Sequence, residues 1–281
     1  MDKQESESNY ITDYLPVSHD NQMVFFRGWL TKGKEVGVPL IVLHGLGDTS
    51  DSYQGLLNTL FENGFQSCSF DFRGHGQSAS RLVNATGVNW FVQDLLQVAS
   101  WIKFKTRQRP LVLAEGFSGL VAYELQKKWP DLLRGIVVSD MPVLSSLEHA
   151  PINFWLKMFS ESMPKVAGSS KILPEEIRNI VMVPGKKTKL SVEMLIDLRK
   201  KIIEFNSGDI TLNVPFFMLI DRAKSSVKND QISNRFMNSS VSKFLKWDFM
   251  NEGHSRLSCD FNQAQSEVVD RMSQWVQNVV K

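Results

Sequence analysis

The segment Ala-Glu-Gly-Phe-Ser at residues 114–118 has the spacing of a nucleophile elbow, the tight turn that presents a catalytic side chain between a strand and a helix. An apolar run just before it predicts the strand, and the helix-forming residues that follow predict the helix. At the centre of such a turn, a side chain attacks an acyl carbon and forms a covalent intermediate. The central residue here is Gly116, which has no side chain and cannot attack. The segment therefore has the frame for covalent catalysis and lacks the group that would perform it.

The same segment admits a second alignment, in which Ser118 occupies the nucleophile position. That alignment places Leu120 where the turn needs a small side chain, and it extends the strand through Gly116 and Phe117. We therefore expect Gly116 at the turn with a positive φ, an angle that glycine adopts with little penalty. In this interpretation Ser118 is the second small residue of the motif and serves packing.

Three other motifs follow predicted strands. The segment His-Gly-Leu-Gly at residues 44–47 follows a buried apolar strand, and Asp-Phe-Arg-Gly-His-Gly-Gln-Ser at residues 71–78 follows the next strand. Late in the chain, Gly253 and His254 follow the last predicted strand. We expect His254 to point toward Gly116 across the space that the missing side chain leaves.

This order of strand, elbow, insertion, strand and late histidine resembles the α/β-hydrolase family, and within it the monoacylglycerol lipase and lysophospholipase-like serine hydrolases. The resemblance covers nearly the whole chain outside residues 141–213, and the three motifs look like the family's HGxG, RGHGxS and catalytic-histidine motifs. It implies ester hydrolysis through an acyl-enzyme as the ancestral chemistry. In the family a proline commonly ends the elbow helix fourteen residues after the nucleophile, and Pro130 has this spacing from Gly116.

The resemblance also implies an oxyanion hole, in which two backbone N–H groups point at one oxygen atom. Carried over to this chain, the donors are Leu46, in the turn that begins with His44 and Gly45, and Phe117, at the start of the elbow helix. Backbone donors survive the replacement of a side chain, so this half of the machinery is expected to remain. The catalytic histidine of the family corresponds to His254.

The acid of the triad has several candidates. After Pro215, the family pattern P-x-x-x-x-x-G-x-x-D puts Asp221 in the glycine position and Lys224 in the acid position. A lysine would repel an imidazolium instead of stabilising it. Asp221 would substitute if the loop were shorter, and Asp140, at the end of an earlier strand, is a further candidate, although a strand-end aspartate also caps turns. Two changed triad positions favour natural loss of function over a single engineered change.

The alternation of predicted strands and helices indicates an α/β fold with a doubly wound, mostly parallel sheet. Residues 1–140 and 214–281 are expected to form this core. Residues 141–213 break the alternation and are predicted to form an inserted helical cap or lid. Within the cap, the apolar stretch at 152–159 is expected to pack on the sheet and partly to roof a pocket for an apolar acyl-type ligand.

Composition narrows the class of protein. The 281 residues carry a net charge of +2, which gives no reason to expect nucleic acid as a partner. The polar, acidic start of the chain lacks the pattern of a signal peptide, and no apolar run is long enough to span a membrane. With only Cys68 and Cys259 present, a reducing, cytoplasmic location is the expectation. No spacing of His, Cys or carboxylates indicates a metal or a cofactor.

Three functions remain open from the sequence. The first is a pseudoenzyme of esterase or lipase ancestry that binds an apolar ligand or a protein partner without turnover. The second is an active carboxylic-ester hydrolase with rearranged residues, in which Ser118 acts with His254 and with Asp140 or Asp221. The third is an active hydrolase whose nucleophile has been replaced by glycine in this particular sequence, at position 116.

Overall fold

The computed structural model describes an eight-stranded sheet with helices packed on both faces. The residues that it describes are 8–17, 22–31, 37–78, 87–139, 141, 192–207, 209–221, 244–250, 257–258 and 263–279. The strands are β1 (Ser8–Val17), β2 (Gln22–Thr31), β3 (Val38–Leu43), β4 (Phe65–Phe70), β5 (Leu111–Glu115), β6 (Gly135–Ser139), β7 (Phe216–Asp221) and β8 (Leu245–Met250). The helices are α1 (Gln54–Glu62), α2 (Val88–Thr106), α3 (Phe117–Lys128), α4 (Val192–Ser207) and α5 (Gln263–Val279), with a short 3-10 helix at Ser50–Tyr53.

The sheet is mostly parallel, with an antiparallel hairpin at one edge. Its strand order is β1-β2-β4-β3-β5-β6-β7-β8. β1 and β2 are antiparallel, β2 is antiparallel to β4, and every later pairing is parallel. Parallel strands need crossover connections. Along the chain, α1 connects β3 to β4, α2 connects β4 to β5, and α3 connects β5 to β6.

Alternate residues of β3 face opposite sides of the sheet, and each side is covered by helices. Leu40 and Val42 pack with α1 and α5, while Ile41 and Leu43 pack with α2, α3 and α4. All four side chains are fully buried. A strand buried on both faces needs apolar residues at every position, which explains the unbroken apolar run in the sequence.

The β1–β2 hairpin joins the parallel strands through a short contact. The pairs between β2 and β4 are Phe26 with Phe70, Arg27 with Ser69 and Gly28 with Cys68. A Cβ atom on Gly28 would lie 2.5 Å from the Cα of Cys68, so a side chain at this position would push the strands apart. Cys68 is fully buried, and its thiol donates to the carbonyl oxygen of Leu40 at 3.5 Å.

The predicted α/β fold with a mostly parallel sheet is confirmed, whereas most of the predicted cap lies outside the described residues. Within the cap range 141–213, α4 is helical and its buried residues join the core of α2 and α3: Leu198, Ile202 and Phe205. The Asp197 carboxylate of α4 accepts a hydrogen bond of 2.7 Å from the N–H of Val88, the first residue of α2. The domain boundaries themselves stay a prediction.

Candidate active site

The turn between β5 and α3 is centred on Gly116, as the sequence predicts. Gly116 has φ 58° and ψ −119°, a conformation that residues with a side chain rarely adopt. Its N–H donates to the carbonyl of Ser139 on β6 at 2.8 Å, and its carbonyl accepts from the N–H of Gly119 at 3.0 Å. The sheet thus holds one side of this residue and the first turn of α3 holds the other.

Ser118 lies in the first turn of α3, and its hydroxyl contacts backbone inside the protein. The residue is fully buried, its Oγ donates to the carbonyl oxygen of His44, and the carbonyl oxygen of Glu115 lies 3.1 Å away. These contacts brace the start of α3 against the turn after β3. They favour the packing role for Ser118 over the alignment in which it is the nucleophile, because a nucleophile's oxygen must be exposed at the turn.

Two buried imidazoles connect the loop after β3 to the loop after β4. His44 Nε2 accepts a hydrogen bond from the N–H of Phe72 at 3.0 Å, and its Nδ1 lies 2.8 Å from the carbonyl oxygen of Gly45. His75 Nε2 accepts from the N–H of Gly47 at 3.2 Å. Burial, together with the neighbouring His44, lowers the pKa of His75 to about 3. A ring nitrogen that accepts from an N–H carries no proton, so both rings are neutral and brace the loops.

Two buried charged side chains fix the loop after β4. Asp71 accepts from the N–H of Ser50 through Oδ1 at 2.6 Å and from the N–H of Gln77 through Oδ2 at 2.7 Å. Arg73 forms an ion pair of 2.6 Å with Asp94 of α2, and both side chains are buried. This loop, which the sequence analysis compared with the RGHGxS motif, therefore supports the site without presenting a reactive group.

The predicted donors of the oxyanion hole lie in two neighbouring turns. β3 and β5 pair directly, with Leu43 opposite Ala114, so the turns that follow them are adjacent at the carboxyl edge of the sheet. Leu46 and Phe117 lie in these turns and are only 4% and 3% exposed. Among the described residues, no loop, turn or cap hydrogen bond uses the backbone N–H of either one. Two such groups are what an oxyanion hole requires, and the assignment stays a prediction.

The side chain of Glu115, to which the sequence motifs assign no role, joins these turns. Its Oε2 accepts from the hydroxyl of Tyr53 at 2.9 Å and from the backbone N–H of Leu257 at 2.9 Å. The Tyr53 oxygen accepts in turn from the N–H of Gly45 at 3.1 Å. Burial, and next the charge of Glu115, raises the pKa of Tyr53 well above its ordinary value, so the hydroxyl stays protonated and donates. A carboxylate that ends an otherwise apolar strand was the available signal.

Most of the residues predicted to act as base or acid of the triad lie outside the part of the chain that the structure describes. His254, Asp140 and Lys224 lie outside the described residues. Asp221 is described by its backbone alone: it ends β7 and pairs in register with Met250 at the end of β8. The roles of His254, Asp140 and Asp221 therefore stay predictions.

No group of three or more His, Cys, Asp or Glu side chains in the described part of the chain could hold a metal ion. No helix in that part is long and apolar enough to cross a membrane.

The sequence model of one protein family matches most of the chain. That family is described as serine aminopeptidase, S33, and the match covers residues 36–243, which include the loops after β3 and β4 and the turn at Gly116. The chain is an α/β-hydrolase of this family. The family thus accounts for the order of motifs on which the sequence analysis based its resemblance.

Curated relatives of this α/β-hydrolase include a lipase and an esterase. It is 30% identical to the monoglyceride lipase of Homo sapiens over 138 residues, which cover 48% of this chain and 44% of that protein. It is 26% identical to protein phosphatase methylesterase 1 of Candida albicans over 142 residues, which cover 50% of this chain and 38% of that protein. The matched stretches span less than half the length of either relative.

Solved structures share the fold of this α/β-hydrolase over nearly its whole length. The esterase of Thermogutta terrifontis has a TM-score of 0.67 at 12% identity and covers 96% of this chain and 100% of its own. The monoacylglycerol lipase of Paleococcus ferrophilus has a TM-score of 0.62 at 18% identity and covers 86% of this chain and 96% of its own. At such identities the likeness establishes the fold alone.

Proposed function

We propose that this α/β-hydrolase of esterase and lipase ancestry is a pseudoenzyme, whose site binds an apolar acyl-type ligand and does not hydrolyse it. The observation that carries the proposal is the turn at Gly116, where the expected nucleophile position has no side chain. The other candidate hydroxyl, that of Ser118, is buried and donates to a backbone carbonyl. A serine hydrolase needs an activated nucleophile, so covalent turnover has no starting group at this turn.

The binding half of the site does not depend on the missing side chain. In the proposed complex, the N–H groups of Leu46 and Phe117 receive the carbonyl oxygen of a bound ester, as they would receive an oxyanion in an active relative. The N-terminus of α3 adds a partial positive charge beside them. An ester group therefore keeps its main polar recognition after the nucleophile is lost.

The proposed ligand is a neutral compound with an acyl chain. The names of two similar proteins, monoglyceride lipase and monoacylglycerol lipase, favour an acylglycerol-like compound. The apolar stretch at 152–159, which lies outside the described residues, would supply the surface for the chain. The proposal includes a cytoplasmic location. The alternative to an acyl ligand is a protein partner that binds at the same site.

Labelling with a fluorophosphonate probe tests the loss of the nucleophile. We expect the unmodified chain to form no adduct by mass spectrometry, because the probe reacts with activated serines. The matched control is the double variant Gly116→Ser with Lys224→Asp, which is expected to react at position 116. An adduct on Ser118, or hydrolysis of p-nitrophenyl butyrate by the unmodified chain, would show an active ester hydrolase with rearranged catalytic residues and would overturn the proposal.

A matched pair of ligands tests recognition of the ester carbonyl. We expect a monoacylglycerol to bind in calorimetry, and its ether analogue, which lacks the carbonyl oxygen, to bind about tenfold more weakly. Two neutral hydrogen bonds at about 0.5–1.5 kcal/mol each account for a difference of that size. Equal affinities would show that the N–H pair does not contact the carbonyl. The absence of any binding would exclude the acyl ligand and favour the protein partner.

A further inference from the structure

Three segments of the site meet at one carboxylate. We propose that Glu115 is a positioning residue: its carboxylate holds the main chain at Leu257, three residues after His254 in the sequence, at the end of β5 and, through Tyr53, fixes the turn at Gly45. The proposal rests on the placement of His254 and of the donor turns in the proposed site. It adds a role for the side chain of Glu115, which lies in the elbow segment at 114–118 but has no function in that motif.

The first contact reaches Leu257, which follows β8 in the sequence. Glu115 Oε2 accepts from the N–H of Leu257 at 2.9 Å, across 142 positions of sequence. Leu257 is fully buried and follows His254 by three residues. Its carbonyl accepts from Nε2 of Gln265 in α5 at 2.7 Å. Both backbone groups of Leu257 are therefore held by hydrogen bonds, which fix the main chain at this residue.

The second contact reaches the turn of the predicted oxyanion hole. The Tyr53 hydroxyl donates to Glu115 Oε2 at 2.9 Å and accepts from the N–H of Gly45 at 3.1 Å. Tyr53 is fully buried, so its ring has little freedom to release the bond. Gly45 immediately precedes Leu46, and the direction of its N–H constrains the peptide planes of the turn. The orientation of the Leu46 donor therefore depends on the carboxylate of Glu115.

A carboxylate suits this junction better than a neutral group of the same shape. Both groups that approach Oε2 are donors, one O–H and one N–H. A carboxylate accepts at either oxygen, whereas the amide of a glutamine has one acceptor atom and would turn an NH2 group toward donors in one of its two orientations. Charge-assisted hydrogen bonds are also about twice as strong as neutral ones. Removal of the charge is thus expected to loosen both contacts without a change in side-chain volume.

Amide hydrogen exchange in the full-length chain, read by NMR, tests both contacts. In Glu115→Gln we expect exchange at the N–H groups of Leu257 and Gly45 to rise by about 10- to 100-fold, the range that corresponds to the loss of hydrogen bonds to a charged group. Tyr53→Phe should raise exchange at Gly45 and leave Leu257 nearly unchanged, which separates the two contacts. The matched control is Glu124→Gln, whose carboxylate contacts lysines of α3 and α4 and should affect neither amide.

A second measurement is the NMR titration of the His254 imidazole, whose resonances are assigned with the variant His254→Asn. The midpoint of this titration would not change if Glu115 only stabilised the fold. We expect its midpoint to shift in Glu115→Gln and to stay unchanged in Glu124→Gln. Unchanged exchange at Leu257 with an unchanged His254 titration would overturn the proposal. So would a uniform rise in exchange across β3, β4 and β5, because it would show a loss of global stability alone. Neither readout uses turnover or a ligand, so this proposal and the proposed function can fail separately.

Discussion

The loops after β3 and β4 and the turn after β5 share one edge of the sheet, but they use their side chains differently. In the loops, His44, His75 and Asp71 each bond to backbone N–H groups, and these bonds define the path of the chain. In the turn, the central residue Gly116 has no side chain, and its neighbour Ser118 bonds inward to a carbonyl. The two loops therefore form the framework of the candidate site, by which we mean the hydrogen bonds that fix its main chain. Position 116 is not part of this framework.

This separation shows how the chain can have the fold of esterases with a glycine at the centre of the turn after β5. None of the hydrogen bonds named above for the loops involves position 116. A glycine at this position therefore leaves the loops after β3 and β4 in place. Glycine also relieves the strained backbone of the turn, which costs about 1–3 kcal/mol for a residue with a Cβ atom. The loop braces and the predicted backbone donors therefore do not depend on a side chain at position 116.

Restoration of the reactive position should give the largest effect. Gly116→Ser alone is expected to give little hydrolysis of p-nitrophenyl butyrate, because Lys224 lies at the predicted acid position in the sequence and a misoriented base costs about 10⁴-fold in rate. Adding Lys224→Asp should recover up to about 10⁴-fold, and adding His254→Ala to that double variant should remove the gain. Esterase-like turnover from the single variant would instead identify Asp140 or Asp221 as a working acid, and the chain would be an enzyme that lacks one side chain.

A break in the framework should appear as lost stability. Asp94→Ala leaves the buried guanidinium of Arg73 without its partner, and we expect a loss of about 3–5 kcal/mol in the free energy of unfolding, measured with urea. The control is Glu204→Ala, which removes the more exposed partner of Lys201 and should cost less than about 1 kcal/mol. Similar losses for the two variants would contradict the framework role of the buried pair.

The brace between the two turns should contribute less than the buried ion pair. Ser118→Ala removes the hydroxyl that donates to the carbonyl oxygen of His44, and the removal of one partner of a buried hydrogen bond costs about 1–3 kcal/mol. Ser52→Ala, whose hydroxyl bonds to Asp48 in a partly buried position, is the comparison and should cost less. Urea unfolding of both variants measures the difference. If Ser118→Ala is neutral, the hydroxyl has no bracing role.

The smallest expected effect is a dependence of stability on pH. The pKa of His75 is about 3 in the folded chain against an ordinary 6.5, so the unfolded chain takes up the proton first as the pH falls. The contribution of His75 to stability is therefore present above pH 6.5 and is lost progressively between about pH 6.5 and pH 3. His75→Asn should reduce the fall in unfolding free energy between about pH 6.5 and pH 5 by about 1–2 kcal/mol. Equal pH slopes for the two proteins would contradict the neutral brace.

The parallel part of the fold could be predicted from the sequence better than its edge. The helix α2, Val88–Thr106, could be predicted, because apolar residues at helical spacing set its buried face. The strand β1 was not predicted. It contains Pro16 and pairs with β2 alone at the edge of the sheet. Pairing with β2 stabilises this strand, and its local sequence pattern does not indicate a strand.

Local spacing also decides which parts of the candidate site could be predicted. The turn at Gly116 was predictable, because its strand, its small residues and its helix are contiguous in sequence. The role of Glu115 was not predictable, because its two partners lie 62 and 142 residues away in the sequence and no local pattern indicates such contacts. The triad roles of His254, Asp140 and Asp221 stay predictions.

The close approach of β2 to β4 makes the chain suitable for chemical labelling of its opening motions. Cys68 lies fully buried opposite Gly28, and burial raises the pKa of its thiol, so that the folded chain presents a poor target to iodoacetamide. Alkylation then requires β4 to be uncovered. In a chain with Cys259→Ser, the rate of alkylation at Cys68 would measure how often this edge of the sheet detaches, with no reporter group added to the protein.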